Sequence, residues 1–166
     1  MELTIISTSE GGVNYALGKV LGKKVHTAKT PEGVPYLVDD DHYISLSHKD
    51  HHLVVAVSDR PVGIDIERLV DKESYYRIAD NYFAEKVKHG DVEDFFRSWT
   101  RREAYGKMLG VGLNQRIMGM NMRSAITHDG QQVRFVEKRI DNDYMVTVSG
   151  YYDDGELVFV GGNNND

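Results

Sequence analysis

A chain of 166 residues with 40% hydrophobic content is long enough for one domain, or for two small halves sharing a core. Its 20 Lys plus Arg against 26 Asp plus Glu leave a formal charge of −6, which argues against a general nucleic-acid binder, since such proteins need a basic surface to displace counterions from phosphates. With no cysteine, disulfides, thiolate zinc sites and cysteine nucleophiles are excluded; the opening run from Met1 to Ile6 is too short for a signal peptide or a membrane span, so a cytoplasmic protein is expected.

Leu3 to Ile6 predicts a first strand, and Tyr15, Leu17, Val20 and Leu21 predict a short helix after Ser9-Glu10-Gly11-Gly12. Val34 to Val38, Tyr43 to Ser47, Leu53 to Ser58 and Val62 to Glu67 read as short strands, the last two joined by the turn residues Asp59-Arg60-Pro61. An antiparallel meander is expected there. From Asp71 the pattern turns helical, with Tyr75, Ile78, Ala79, Tyr82 and Phe83 at helical spacing until Gly90. A further helix is predicted from Asp91 through Phe95, Phe96, Trp99, Ala104, Met108 and Leu109 to a stop at Gly110. Val133 to Phe135, Tyr144 to Ser149 and Glu156 to Val160 then read as strands, with Asp129-Gly130 and Asp154-Gly155 as hairpin signals. The tail from Gly161 to Asp166 has nothing to bury and is expected to fray. The fold class is α+β, with a helix followed by several strands in both halves.

Two acidic clusters stand out. In Gly63-Ile64-Asp65-Ile66-Glu67 the two carboxylates alternate with apolar residues, so on a strand both leave the same face. They suit either the wet face of a half-buried strand or a divalent-cation site. Glu103 and Lys107 lie four apart on the second predicted helix, a spacing that suits a surface ion pair. At about 100° per residue, however, Glu103 falls inside the aromatic stripe of Phe96 and Trp99, where a carboxylate needs a partner. Lys107 is one candidate. A divalent cation facing a polyphosphate, its shell completed by Asp65 and Glu67, is another. His48, His51 and His52 at a strand end lack zinc-ligand spacing and read as a polar loop, with His48 better placed as a phosphate contact.

Taken in order, Gly33-Val34-Pro35-Tyr36, Ile44-Ser45-Leu46-Ser47-His48, Val62 to Glu67, and Phe96 to Leu113 with its core Trp99-Thr100-Arg101-Arg102-Glu103-Ala104-Tyr105-Gly106-Lys107 resemble the 4′-phosphopantetheinyl transferases. The resemblance covers roughly residues 30 to 115 and is to the pseudodimeric, surfactin-synthetase-activating group, because about sixty residues precede the acidic strand. It implies two similar small α+β halves, each a helix packed on antiparallel strands, forming an intramolecular pseudodimer. A single domain over 1–166 is expected, with halves at about 1–67 and 68–160 and a tail at 161–166.

The activity implied is Mg²⁺-dependent transfer of 4′-phosphopantetheine from coenzyme A to a serine of an apo acyl or peptidyl carrier protein of fatty-acid, polyketide or nonribosomal peptide synthesis, with release of adenosine 3′,5′-bisphosphate. The implied metal ligands are Asp65, Glu67 and Glu103. Glu103 is also the implied base for the serine hydroxyl, and Lys107 neutralises charge on the phosphates. His48, Ser47, Gly33, Pro35, Lys29 and Lys107 are the implied coenzyme A contacts. The expected protein is a monomer that binds neither nucleic acid nor membrane.

This sequence departs from the family pattern in places. Val34 stands where the family often has lysine, with Lys29 as its substitute, and Arg102 stands where lysine usually precedes the glutamate. Lys19 and Lys23 are the candidates for the 3′-phosphate, and Glu85 is matched to a further family acid. These departures keep an alternative open, a catalytically weakened carrier-protein or coenzyme A-binding module of the same fold. Met118-Gly119-Met120-Asn121-Met122, flanked by Arg116 and Arg123, reads either as a docking surface for a carrier helix or as core filler.

Overall fold

A computed structural model describes residues 3–8, 11–151 and 157–161. The chain runs β1 (Leu3–Thr8), α1 (Val13–Leu21), β2 (Thr27–Lys29), β3 (Pro35–Leu37), β4 (Tyr43–Lys49), β5 (His52–Ser58) and β6 (Gly63–Arg68). It continues with α2 (Glu73–Tyr82), α3 (Val92–Met108), α4 (Gln115–Met118), β7 (Thr127–His128), β8 (Gln131–Ile140), β9 (Tyr144–Tyr151) and β10 (Leu157–Gly161). The hairpin signal at Asp154-Gly155 and all but the first residue of the tail lie outside the described residues.

The fold is α+β, in two halves of helix on sheet. The first half is a four-stranded sheet in the order β10-β1-β5-β4, with α1 packed on β1 and β5. The second is a four-stranded sheet in the order β6-β9-β8-β7, covered by α3 on β6 and β9. β10 pairs parallel with β1, so the last described strand returns to the first sheet. Every residue of β5 is buried, which its position explains: Leu53, Val55 and Val57 pack with Ala16 and Leu17 of α1, while Val54 and Ala56 pack with Ile64, Ile66, Val146 and Val148 of the second sheet.

The expected meander stops at β5. β4 and β5 form a hairpin, but β3 pairs with β2 in a separate ribbon, and β6 crosses to the second sheet to pair with β9. The edges of the two sheets meet at β4 and β6. There Ser45 Oγ accepts a hydrogen bond from Ile64 N (3.0 Å) and Ser47 Oγ accepts one from Ile66 N (3.3 Å). Serine hydroxyls thus satisfy the edge amides that a neighbouring strand would otherwise pair.

The helix predicted from Asp71 ends at Tyr82 instead of Gly90. Phe83 is extended (φ −81°, ψ 142°), and Phe83, Glu85 and Val87 then alternate into the core with strand-like period. Arg102 is the reason. Fully buried on α3, it lies 3.6 Å over the Phe83 ring and holds Glu85 in a bidentate pair at 2.6 and 2.9 Å. Its other N–H groups donate to the carbonyls of Met118, Ser98 and Met120, so all five donors are used. The three methionines pack toward the core, Met122 buried and Met118 and Met120 partly so, while Gly119 and Asn121 are exposed; Met122 N–H donates to Glu85, and its carbonyl accepts from Arg101.

The start of α3 follows the sequence. Asp91 caps it through Asp94 N, with Glu93 and Asp94 in the first turn, and Gly110 (φ 68°) lies just beyond its end. Asp129-Gly130 makes the β7–β8 hairpin, both residues having positive φ (50° and 74°).

Candidate active site

Gly63 opens β6 and fixes how close α3 can come. A Cβ built there would lie 1.7 Å from the Ala104 carbonyl oxygen and 2.6 Å from Met108 N, so only glycine allows strand and helix backbones to touch. Two residues on, Asp65 faces the helix, paired in register with Thr147 of β9, whose hydroxyl bonds to that of Thr100 on α3 at 2.6 Å. Thr100, Glu103 and Lys107 occupy one face of α3. The helix is therefore pinned to the sheet one turn before Glu103.

Asp65 is 5% exposed. Its Oδ1 accepts from Ser47 Oγ (3.1 Å) and from Lys107 Nζ (3.2 Å); its Oδ2 is buried with no hydrogen-bond partner. Lys107 directs its ammonium to the strands rather than to Glu103, donating also to the carbonyls of Ile64 (3.0 Å) and Leu46 (3.4 Å). Burial raises the Asp65 carboxyl to about 7; Lys107 opposes the rise, while the negative charges of Glu67 and Glu103 add to it. Burial also raises Glu103, with Lys107 lowering it and Glu67 raising it. The three carboxylates thus feel one another across the strand–helix contact.

Glu67 is partly exposed and ion-paired with Lys49 of β4 at 2.9 Å. With Lys49 on Glu67 and Lys107 on Asp65, the three carboxylates do not close into a tight cluster; among the described residues the group of ligating atoms that all lie within 4.8 Å of one another is elsewhere. The set nevertheless fits a hard divalent cation. The donors are all oxygens, and Oδ2 of Asp65 is a buried acceptor without a hydrogen-bond partner.

A cavity of about 600 Å³ adjoins this contact, lined by Lys29, Gly33, Val34, Pro35, Ser45 and Lys107 together with Gly110 to Gly112. Its size suits a small-molecule ligand. Of the residues read from the sequence as ligand contacts, Lys29, Gly33, Pro35 and Lys107 line it. Ser47 instead lies buried beneath Asp65, and His48 is exposed on β4 and outside the lining. Lys19 and Lys23 border a separate hollow, and Lys23 pairs with Asp40 at 2.6 Å. Glu85 is committed to Arg102, away from the other carboxylates.

Sequence reasoning missed Ser45, Lys49, Gly63 and Thr147 as parts of this site. Ser45 was marked by its period-two relation to Ser47. Gly63 stands at the head of the acidic strand motif; Lys49 and Thr147 carry no local signal, because their partners lie on another strand or on α3.

The family model of the 4′-phosphopantetheinyl transferase superfamily matches residues 61–158. The chain is 39% identical over 93 residues to the 4′-phosphopantetheinyl transferase gsp of Aneurinibacillus migulanus, covering 51% of this chain and 38% of that protein. It is 28% identical over 140 residues to a 4′-phosphopantetheinyl transferase of Bacillus subtilis, covering 74% and 61%. With the 4′-phosphopantetheinyl transferase Sfp of Bacillus subtilis (strain 168) it shares 28% over 108 residues, covering 60% and 46%. The chain thus spans between about two fifths and three fifths of the length of these relatives.

Proposed function

Since the chain belongs to the 4′-phosphopantetheinyl transferase superfamily, whose family model spans residues 61–158, we propose that it moves 4′-phosphopantetheine from coenzyme A to a serine of an apo acyl or peptidyl carrier protein. The observation that carries this reading is the contact of Lys107 with Asp65 (3.2 Å) at the wall of a cavity of about 600 Å³, with Glu103 near enough for its charge to act on Asp65.

Asp65, Glu67 and Glu103 would hold Mg²⁺. When bound, that ion supplies charge compensation to the diphosphate. The serine oxygen attacks the phosphorus that bears pantetheine, the bridging P–O bond breaks, and adenosine 3′,5′-bisphosphate leaves with the bonding electrons. Glu103 takes the serine proton; its burial, which raises its affinity for a proton, suits that role. Lys107, held by Asp65 and two strand carbonyls, presents a fixed positive charge at the cavity wall. Lys29, Gly33 and Pro35 would line the coenzyme A site, and Ser47 acts through Asp65 by holding its Oδ1. His48, exposed on β4, would meet a phosphate beyond the cavity rim.

The reading takes 1–166 as one working unit, a cytoplasmic monomer without nucleic-acid or membrane partners; among the described residues no helix is long and apolar enough to cross a membrane. A weakened binding module of the same fold is the second reading, favoured by Val34, which puts an apolar side chain into the cavity lining. Incubation with coenzyme A, Mg²⁺ and a panel of apo carrier proteins, followed by mass spectrometry of the carriers, separates the two. Transfer adds the phosphopantetheine mass to at least one carrier. Folded protein that binds coenzyme A and leaves every carrier unchanged supports the module.

A further inference from the structure

Outside the carboxylate contact, the described residues hold a second group of ligating side chains, His51, His52 and Asp141, whose donor atoms all lie within 4.8 Å of one another. They come from different sheets. His51 lies in the β4–β5 turn, which His52 closes opposite Lys49, and Asp141 begins the turn between Ile140 of β8 and Tyr144 of β9. The expectation of a polar loop holds for His51, which is exposed, but fails for His52, which begins β5 with its side chain only 8% exposed. The ring is buried because it packs edge-on against Tyr144 at 4.5 Å and beside His51 at 4.1 Å.

His52 is the telling residue. Its Nε2 is buried and makes no hydrogen bond, although Asp141 Oδ2 is 3.1 Å away. A buried imidazole nitrogen without a partner is unfavourable, and a carboxylate this close but out of hydrogen-bond alignment does not relieve it. Two donors each about 2.0–2.1 Å from one tetrahedral ion stand roughly 3.3 Å apart, near the observed separation. Tyr144, whose hydroxyl donates to Asp50 Oδ2 at 2.7 Å, ties the turn that carries both histidines to β9.

We propose that His51, His52 and Asp141 bind a zinc-class divalent ion, with water completing a four-coordinate shell. Two imidazoles and a carboxylate suit such borderline ions, whereas Asp65, Glu67 and Glu103 offer oxygen alone, which suits magnesium. Because its ligands come from the β4–β5 and β8–β9 hairpins, the ion fastens the ends of the two sheets together. Lys49, which pairs with His52 across the hairpin, is the residue that holds Glu67, so the fastening adjoins the acidic strand.

The test is calorimetric titration of the chelator-stripped full chain with Zn²⁺ in the presence of excess Mg²⁺. One zinc per chain is expected, with Tm rising by about 5–10 °C at a hundredfold excess over Kd. His51→Ala and Asp141→Asn alter exposed side chains and should fold normally while weakening zinc binding about tenfold or more; Asp65→Asn should bind zinc as the parent does. Absence of saturable binding overturns the proposal. So does binding that persists unchanged in both His51→Ala and Asp141→Asn, or that is lost in Asp65→Asn.

Discussion

The Lys107 ammonium lies 3.2 Å from Asp65 Oδ1, yet the Asp65 carboxyl still keeps its proton up to about pH 7. Burial outweighs the nearby cation, because an ionised carboxylate with one unpartnered oxygen is costly in a dry site and two further carboxylates add to the field. A folded-state value near 7 above an ordinary 3.8 means that the folded chain binds this proton more tightly than the unfolded chain does. The contribution to stability is complete below about pH 4 and is lost as pH rises through about 7. Urea denaturation of the metal-free protein at a series of pH values should show this loss, and Asp65→Asn should remove it. Parallel pH profiles for parent and variant would refute it.

Glu103→Gln should leave the fold intact and abolish most transfer, by roughly 10²- to 10⁴-fold. Burial already disfavours the charged form of Glu103, so a neutral amide is expected to melt no earlier than the parent. Carrier mass shift over time, beside thermal melting, measures both. Turnover unchanged from the parent would remove Glu103 from the mechanism.

Gly63→Ala should destabilise by about 1–3 kcal/mol, since the new methyl group meets the Ala104 carbonyl and Met108 amide and neither backbone can yield without moving α3. The same displacement draws Glu103 and Lys107 away from Asp65. Transfer should therefore fall in the fraction that remains folded. A variant with parental stability would show that the close approach of strand and helix is not enforced.

Arg102→Met leaves Glu85 buried without its cation and releases three carbonyls, and should cost about 3–5 kcal/mol. Arg102→Lys keeps the charge but not the fork, so it should recover only part of that loss. Pairing Arg102→Met with Glu85→Gln should be less destabilising than Arg102→Met alone, because the unpaired charge is gone. Denaturant midpoints of the four proteins, parent included, decide among these outcomes.

The local pattern of the chain was enough to place Asp65 and Glu67 on one face of a strand, to place Glu103 and Lys107 on one face of a helix, and to set the α3 start at Asp91 and the hairpin at Asp129-Gly130. Those features depend on neighbours within a few residues, and periodicity, capping and turn chemistry record them. Which strand β6 would join was not written there. Its alternation suits β5 and β9 equally well, and the choice came from serine hydroxyls on β4 that satisfy its free edge and from a helix that only Gly63 admits. The same holds for Arg102, which in the sequence stands out only as the cation in front of Glu103 and becomes a buried anchor because Glu85 and the carbonyls of Ser98, Met118 and Met120 converge on it. Spacing along the chain determined which chemistry was present. Packing between the two sheets decided which groups were buried, which were paired, and which buried oxygen was left without a hydrogen-bond partner, since desolvation depends on everything that surrounds an atom and not on its place in the sequence.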